Sequence, residues 1–147
     1  MFKHILVPVD SSNMSMLAVD TALDMAAGTS ARVTAVTVSP NYPTMITGDG
    51  YMIEPSSPAE WDLHCKRNAE GIRNKVEKHA KAKSATVSFV IAPMDLPYLG
   101  IIETAKNEHC DLIVMASHGR SGLTALLLGS ETTKVLTHTK LPVLVCR

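Results

Sequence analysis

The stretch from Asp111 to Ser130, DLIVMASHGRSGLTALLLGS, decides the fold. Leu112 to Ala116 is a short apolar run without alternation, the signature of a parallel strand covered on both faces. It turns through Ser117-His118-Gly119-Arg120-Ser121-Gly122, and a second apolar segment, Leu123 to Leu128, leads to Gly129-Ser130, where a helix is expected to start. Glycine permits a backbone approach that a Cβ would block. A helix N-terminus offers unpaired N–H groups and a positive dipole end to an anion. Two glycine turns, one after a strand and one before a helix, therefore read as a phosphate-binding site.

Outward from that stretch, strands and helices alternate. Lys3 to Val9 reads as the first strand, followed by a helix capped at Ser11 or Ser12. Met14, Leu17, Ala18, Thr21, Ala22 and Met25 recur at helical spacing, and Gly28 stands where a helix would stop. Arg32 to Val38 is rich in β-branched residues and reads as the second strand. Ser39 to Ser57, with three prolines and two glycines, is the one long loop. Ser57-Pro58-Ala59-Glu60 then predicts a helix start with a capping box. Trp61, Cys65, Asn68/Ala69, Ile72, Val76 and Ala80 mark the inner face of that helix. A third strand is expected near Thr86 to Ala92, and Pro93 and Pro97 bracket a turn. A short helix carrying Leu99, Ile102 and Ala105 follows. Past the opening stretch come a helix from Ser130 to about Thr139 and a last strand, Pro142 to Cys146. Five strands separated by helices predict an α/β domain with a mainly parallel sheet, residues 1–147 forming one domain. Ligands of such sheets bind beyond the carboxyl ends of the strands, where strand order reverses. Asp10, Val38 and Ser117 to Gly122 all fall at such ends.

Composition narrows the function classes. A net charge of zero gives no support to a nucleic-acid or membrane-surface role. No apolar run approaches the ~20 residues a membrane span needs. The N-terminus MFKHILVPVD lacks a secretory pattern. Three cysteines, Cys65, Cys110 and Cys146, are odd in number and form no C-x-x-C pair, which suits reduced thiols and a cytoplasmic location. His64-Cys65 and His109-Cys110 lack a second ligand pair at zinc spacing. There is no G-K-[ST], no G-x-G-x-x-G and no G-x-S-x-G. No general base is evident, so dedicated catalysis is unsupported.

ILVPVDSS and the block DLIVMASHGRSGLTALLLGSETTKVLTHTKLPVLV resemble the universal stress proteins over nearly the whole length. The resemblance implies a Rossmann-like, three-layer α/β/α fold with strand order 3-2-1-4-5. The ATP-binding branch of that family carries G-x-x-G, nine residues, then G-[ST]. Here Ala116-Ser117-His118-Gly119 is followed after nine residues by Gly129-Ser130, so the spacing is kept and alanine replaces the first glycine. By resemblance, Pro8, Asp10 and Val38 would border adenosine, and Ala116 and Gly119 would lie against ribose and phosphates. Gly129, Ser130 and the Glu131 N–H would hold the phosphate tail. The full set expected around ATP, or another adenine nucleotide with Mg²⁺, is Pro8, Val9, Asp10, Val38, Ala116, Ser117, His118, Gly119, Arg120, Gly122, Gly129, Ser130 and Glu131. The Glu131 carboxylate suits the helix dipole but would repel phosphate unless a metal mediates.

Plainer roles stand beside these. Asp10 would cap the first helix, His118 would be a solvated turn residue, and Gly119 and Gly122 would serve only tight turning. Ser130 would be an N-cap with or without a ligand. The apolar terminal strand, Val143 to Cys146, predicts a homodimer paired edge to edge. The expectation is a nucleotide-dependent stress-response sensor or regulator with an unknown protein partner. The alternative is a non-nucleotide dimeric interaction module of the same fold.

Overall fold

The structure is a computed structural model and describes residues 1–42, 45–46, 52–53, 57–119 and 128–147, with only the backbone described at 45–46 and 52–53. The elements run β1 (His4–Pro8), α1 (Asn13–Ala27), β2 (Arg32–Ser39), β3 (Met45–Ile46), β4 (Met52–Ile53), α2 (Pro58–Ala82), β5 (Ser88–Pro93), α3 (Pro97–Asn107), β6 (Leu112–Ala116), α4 (Ser130–His138) and β7 (Val143–Cys146). Five strands form one parallel sheet in the order β5-β2-β1-β6-β7, which is 3-2-1-4-5 counted within the sheet. The stretch expected to be a plain loop after β2 instead contains the antiparallel pair β3–β4.

Alternation of side chains along the buried strands divides the core in two. Ile5, Val7, Val33, Ala35, Leu112 and Val114 pack toward α1 and α2, joined by Ala18, Val19, Ala22, Leu23, Ile72 and Val76. Leu6, Val36, Ile113 and Met115 pack toward α3 and α4, joined by Ile101, Ala105 and Val135. Helices thus cover both faces, as parallel crossovers require. Since β1 pairs with both β2 and β6, the chain leaves β1 toward one face and β6 toward the other. The crevice between those two departures is the switch point.

Element ends follow local chemistry. Ser12 caps α1 by accepting from the Ser15 N–H, and Ser57 and Glu60 form the anticipated capping box on α2. The inner face of α1 matches the expected one at Ala18 and Ala22 and departs from it at Met14, Leu17 and Thr21. Ser15, Met16, Ala18, Val19, Ala22 and Leu23 are buried, whereas Leu17 is 42% exposed. On α3 the buried set is Gly100, Ile101, Thr104 and Ala105, one position off Leu99 and Ile102. The reason is Gly100, where an added Cβ would stand 2.9 Å from Val38 Cγ2, so that α3 presses its backbone onto β2. At the opposite end of the sheet, buried His4 bonds the Glu108 carbonyl (2.9 Å) and Thr34 Oγ1 (2.8 Å).

Candidate functional site

Above the carboxyl ends of β1, β2 and β6 lies a cleft of about 560 Å³. Ten of the anticipated residues line it: Pro8, Val9, Asp10, Val38, Ala116, His118, Gly119, Gly129, Ser130 and Glu131. Ser117 does not, being buried behind the wall. Arg120 and Gly122 lie outside the described residues. Thr37, Asn68, Ile72 and Thr132 also line the cleft and were not singled out for it in the sequence. The only signal for Asn68 was a polar residue on the inner face of α2.

At the end of β1 the chain folds back on the Asp10 side chain. Its Oδ1 accepts from the Ser12 N–H at 2.8 Å, and its carbonyl accepts from Ser15 Oγ at 2.8 Å. Asp10 therefore supports the start of α1 and lines the cleft as well. An added Cβ on Gly119 would stand 2.8 Å from Asp10 Oδ2, so the turn after β6 lies directly against the Asp10 carboxylate and a side chain there would have to displace it.

At the end of β2, peptide parity matters. The Val36 carbonyl accepts from the Val9 N–H at 2.8 Å, while the Ser39 carbonyl turns the other way and accepts from the Met94 N–H at 3.0 Å. Val38 shares the parity of Val36. Its N–H and C=O thus face the β1 side one step past the last pairing of Pro8 with Val36. A donor and an acceptor stand side by side at the cleft.

At the end of β6 the chain is tied down tightly. The Ser117 N–H donates to the Cys146 carbonyl, and the Ser117 carbonyl accepts from the Gly129 N–H, both at 2.7 Å. Thr132 Oγ1 donates to the Ala116 carbonyl at 3.0 Å. Gly129, not Ser130, is the N-cap of α4, with φ −59°, and α4 has no side-chain cap. This corrects two expectations. Ser130 is the first helical residue, and the Gly129 N–H is committed to Ser117 rather than open to a ligand. Gly129 is required because a Cβ would lie 3.0 Å from the Ser117 carbonyl oxygen. The amides of Ser130, Glu131 and Thr132 remain as the positive end of the helix.

The Glu131 carboxylate is held elsewhere. Its Oε2 accepts from the Tyr98 N–H at 2.9 Å and its Oε1 from Lys134 Nζ at 2.8 Å. Lys134 also stands over the Tyr98 ring, 5.7 Å from its centroid, and its ammonium pKa is raised, chiefly by the Glu131 hydrogen bond. The negative charge is thereby balanced beside the cleft without a metal. His118 Nδ1 lies 2.9 Å from Ser117 Oγ, and its Nε2 is buried with no hydrogen-bond partner among the described residues. Among the described residues no cluster of three or more His, Cys, Asp or Glu could hold a metal ion. The cleft offers an anion-attracting end at α4, a carboxylate in the middle and a backbone donor–acceptor pair at β2.

The model of the universal stress protein family matches residues 1–147. The universal stress protein MJ0531 of Methanocaldococcus jannaschii is 30% identical over 152 residues, covering 100% of this chain and 83% of that protein. Universal stress protein YxiE of Bacillus subtilis is 31% identical over 153 residues, covering 100% of both. The structure of universal stress protein UspA from Lactobacillus plantarum superposes with a TM-score of 0.80 at 24% identity, covering 99% of this chain and 97% of that one. Two further structures of the family are nucleotide complexes. One holds cAMP (TM-score 0.73, 24% identity, covering 99% and 97%), and one from Archaeoglobus fulgidus holds dAMP (0.64, 16%, covering 99% and 98%). Matched from its first residue to its last, this chain belongs to the universal stress protein family.

Proposed function

We propose that the chain binds an adenine nucleotide, ATP in the first instance, in the cleft at the switch point, and acts in stress response as a nucleotide-dependent regulator. The observation that carries this reading is the convergence of the α4 N-terminus, Asp10 and the Val38 peptide on one cleft. Phosphates fit the end where the amides of Ser130, Glu131 and Thr132 begin α4. Asp10 would accept from a ribose hydroxyl. The Val38 peptide offers a donor and an acceptor to the adenine edge. Ala116 is the smallest departure from the family glycine, and the cleft stays open beside it. Mg²⁺ would arrive on the phosphates and keep mostly water ligands. The cAMP and dAMP complexes of relatives support the nucleotide class. Isothermal calorimetry with Mg²⁺–ATP tests the reading. Saturable heat and a raised melting temperature are expected, and neither at millimolar nucleotide would leave the non-nucleotide interaction module.

The same reading includes a homodimer through β7, whose outer edge pairs with no strand among the described residues and whose Leu144 is 38% exposed. Sedimentation equilibrium at micromolar concentration should return twice the chain mass. A cytoplasmic location is part of the same proposal, resting on three cysteines that form no disulfide pattern in the sequence. Separately, among the described residues no helix is long and apolar enough to cross a membrane.

A further inference from the structure

The α2 wall of the cleft carries two polar side chains with no task in the fold. Thr37 is 5% exposed and lines the cleft. Its position alternates with Val36 and Val38, which pack toward α3, so its side chain faces α1 and α2. Asn68 lines the same side. Helix α2 enters from the carboxyl ends of the strands, and Ile72 packs into the core beside Val9 and Ala35. Asn68, four residues earlier, therefore stands about 6 Å higher, above the strand ends. Neither the Asn68 amide nor the Thr37 hydroxyl hydrogen-bonds to any described residue. Though Thr37 as a whole is mostly buried, its hydroxyl is not one of the buried unpaired polar atoms among the described residues and opens to the cleft, where water or a ligand can meet it.

We propose that Asn68, with Thr37 beneath it, reads the base of the bound nucleotide and selects adenine over guanine. The proposal rests on the nucleotide reading above and adds to it a specificity residue. Phosphates go to the α4 N-terminus, on the α3–α4 side of the sheet. Asn68 and Thr37 stand on the α1–α2 side, across Val9 and Asp10, so they meet the far end of the ligand. That end is the base. An asparagine amide presents one donor and one acceptor in a plane. This matches the acceptor N7 and donor N6 of adenine, whereas guanine offers two acceptors, O6 and N7, on the same edge. The Thr37 hydroxyl, able to donate or accept, would complete the polar floor.

The test compares ATP and GTP affinities by calorimetry for the parent, Asn68→Ala, Asn68→Asp and Thr37→Val. Asn68 is exposed and unbonded, so apo melting temperatures should be unchanged in both of its variants. The parent should favour ATP. Asn68→Ala should reduce the ATP-to-GTP affinity ratio on the order of tenfold, the size of a lost bidentate base contact. Asn68→Asp, which presents only acceptors, should reduce it further, and Thr37→Val should weaken ATP with less change in the ratio. A ratio within twofold of the parent in both Asn68 variants overturns the proposal while nucleotide binding stands. Equal parent affinities for ATP and GTP overturn it in the same way. A parent that binds neither nucleotide overturns the nucleotide reading itself, and the specificity with it.

Discussion

Glu131 on α4 caps α3 from across the α3–α4 interface, its Oε2 accepting from the Tyr98 N–H at 2.9 Å. Helix α3 begins with Leu96 at its N-cap, which supplies no side-chain bond, and Pro97 follows. The carboxylate thus supplies, 33 residues away in sequence, what a local Ser or Asp usually supplies. Glu131→Ala should lower stability by about 1 kcal/mol, the cost of a lost cap. Glu131→Gln should cost much less, because the amide oxygen can still accept from Tyr98. The two variants also separate capping from phosphate repulsion. If the carboxylate faced the phosphates, Glu131→Gln would tighten nucleotide binding strongly at low salt. We expect little change, because that charge is already paired with Lys134. Chemical denaturation of the apo variants and calorimetry at two salt concentrations check both statements.

Asp10 and Gly119 should be energetically coupled. Gly119→Ala brings a methyl to 2.8 Å from Asp10 Oδ2, which cannot retreat freely while Oδ1 is bonded to Ser12. Asp10→Ala removes the obstacle together with the support of α1. Gly119→Ala should therefore destabilise the parent more than it destabilises the Asp10→Ala variant. The coupling should be on the order of 1 kcal/mol, in the range found for contacting residues. A double-mutant cycle from urea melts measures it, and additivity would show that the turn after β6 moves away at no cost.

The turn before α4 separates packing from ligand binding. Ser130→Ala should leave stability within ~0.5 kcal/mol, as for a surface position, because Ser130 is not the cap. Gly129→Ala should cost roughly 1–3 kcal/mol, as overpacking does. Its Cβ meets the Ser117 carbonyl oxygen at 3.0 Å, and Ser117 is anchored by Cys146 on one side and Gly129 on the other. Equal melts for the parent and Gly129→Ala would mean that the turn relaxes.

What could be read in the sequence was whatever is written locally. The unbroken apolar run of β6 and the Ser57–Glu60 capping box needed no distant partner to be recognised, and both formed as expected. The face of α1 was legible at Ala18 and Ala22 but drawn too wide, because Met14, Leu17 and Thr21 make a plausible helical stripe beside the true one. The choice between them is made by the sheet, which takes Val19 and Leu23 into the core. The motif spacing drew attention to Gly129, but its reason, the Ser117 carbonyl, lies twelve positions back and becomes a neighbour only after folding. The same holds for the Glu131–Tyr98 bond, which removes a charge conflict that sequence reading raised. Thr37 and Asn68 carry no motif at all. Only the descent of α2 past the end of β2 brings them to one cleft wall.

A final prediction concerns acid stability and the opposite end of the sheet. The Asp111 carboxylate accepts from the Lys3 N–H at 2.8 Å and the His4 N–H at 2.9 Å, tying the start of β1 to the start of β6. Burial acting alone would push its pKa up. Donation by the His4 and Lys3 amides, with a contribution from the nearby His4 ring, outweighs burial and holds it below its ordinary 3.8. A carboxyl whose pKa is lower in the folded chain binds its proton first in the unfolded one. Its stabilising contribution is therefore complete above about pH 5, shrinks below about pH 4, and is lost as the pH falls through the folded-state pKa. Asp111→Asn keeps the shape but loses the charge and one of the two acceptors. At pH 7 it should melt below the parent, and the gap should narrow as the pH falls from 5 toward 3. Comparing the two chains cancels the other carboxylates, which titrate in both. Thermal melts at matched ionic strength across that range give the gap directly. A gap of constant size would assign the Asp111 contribution to hydrogen-bond geometry alone and remove charge from the account.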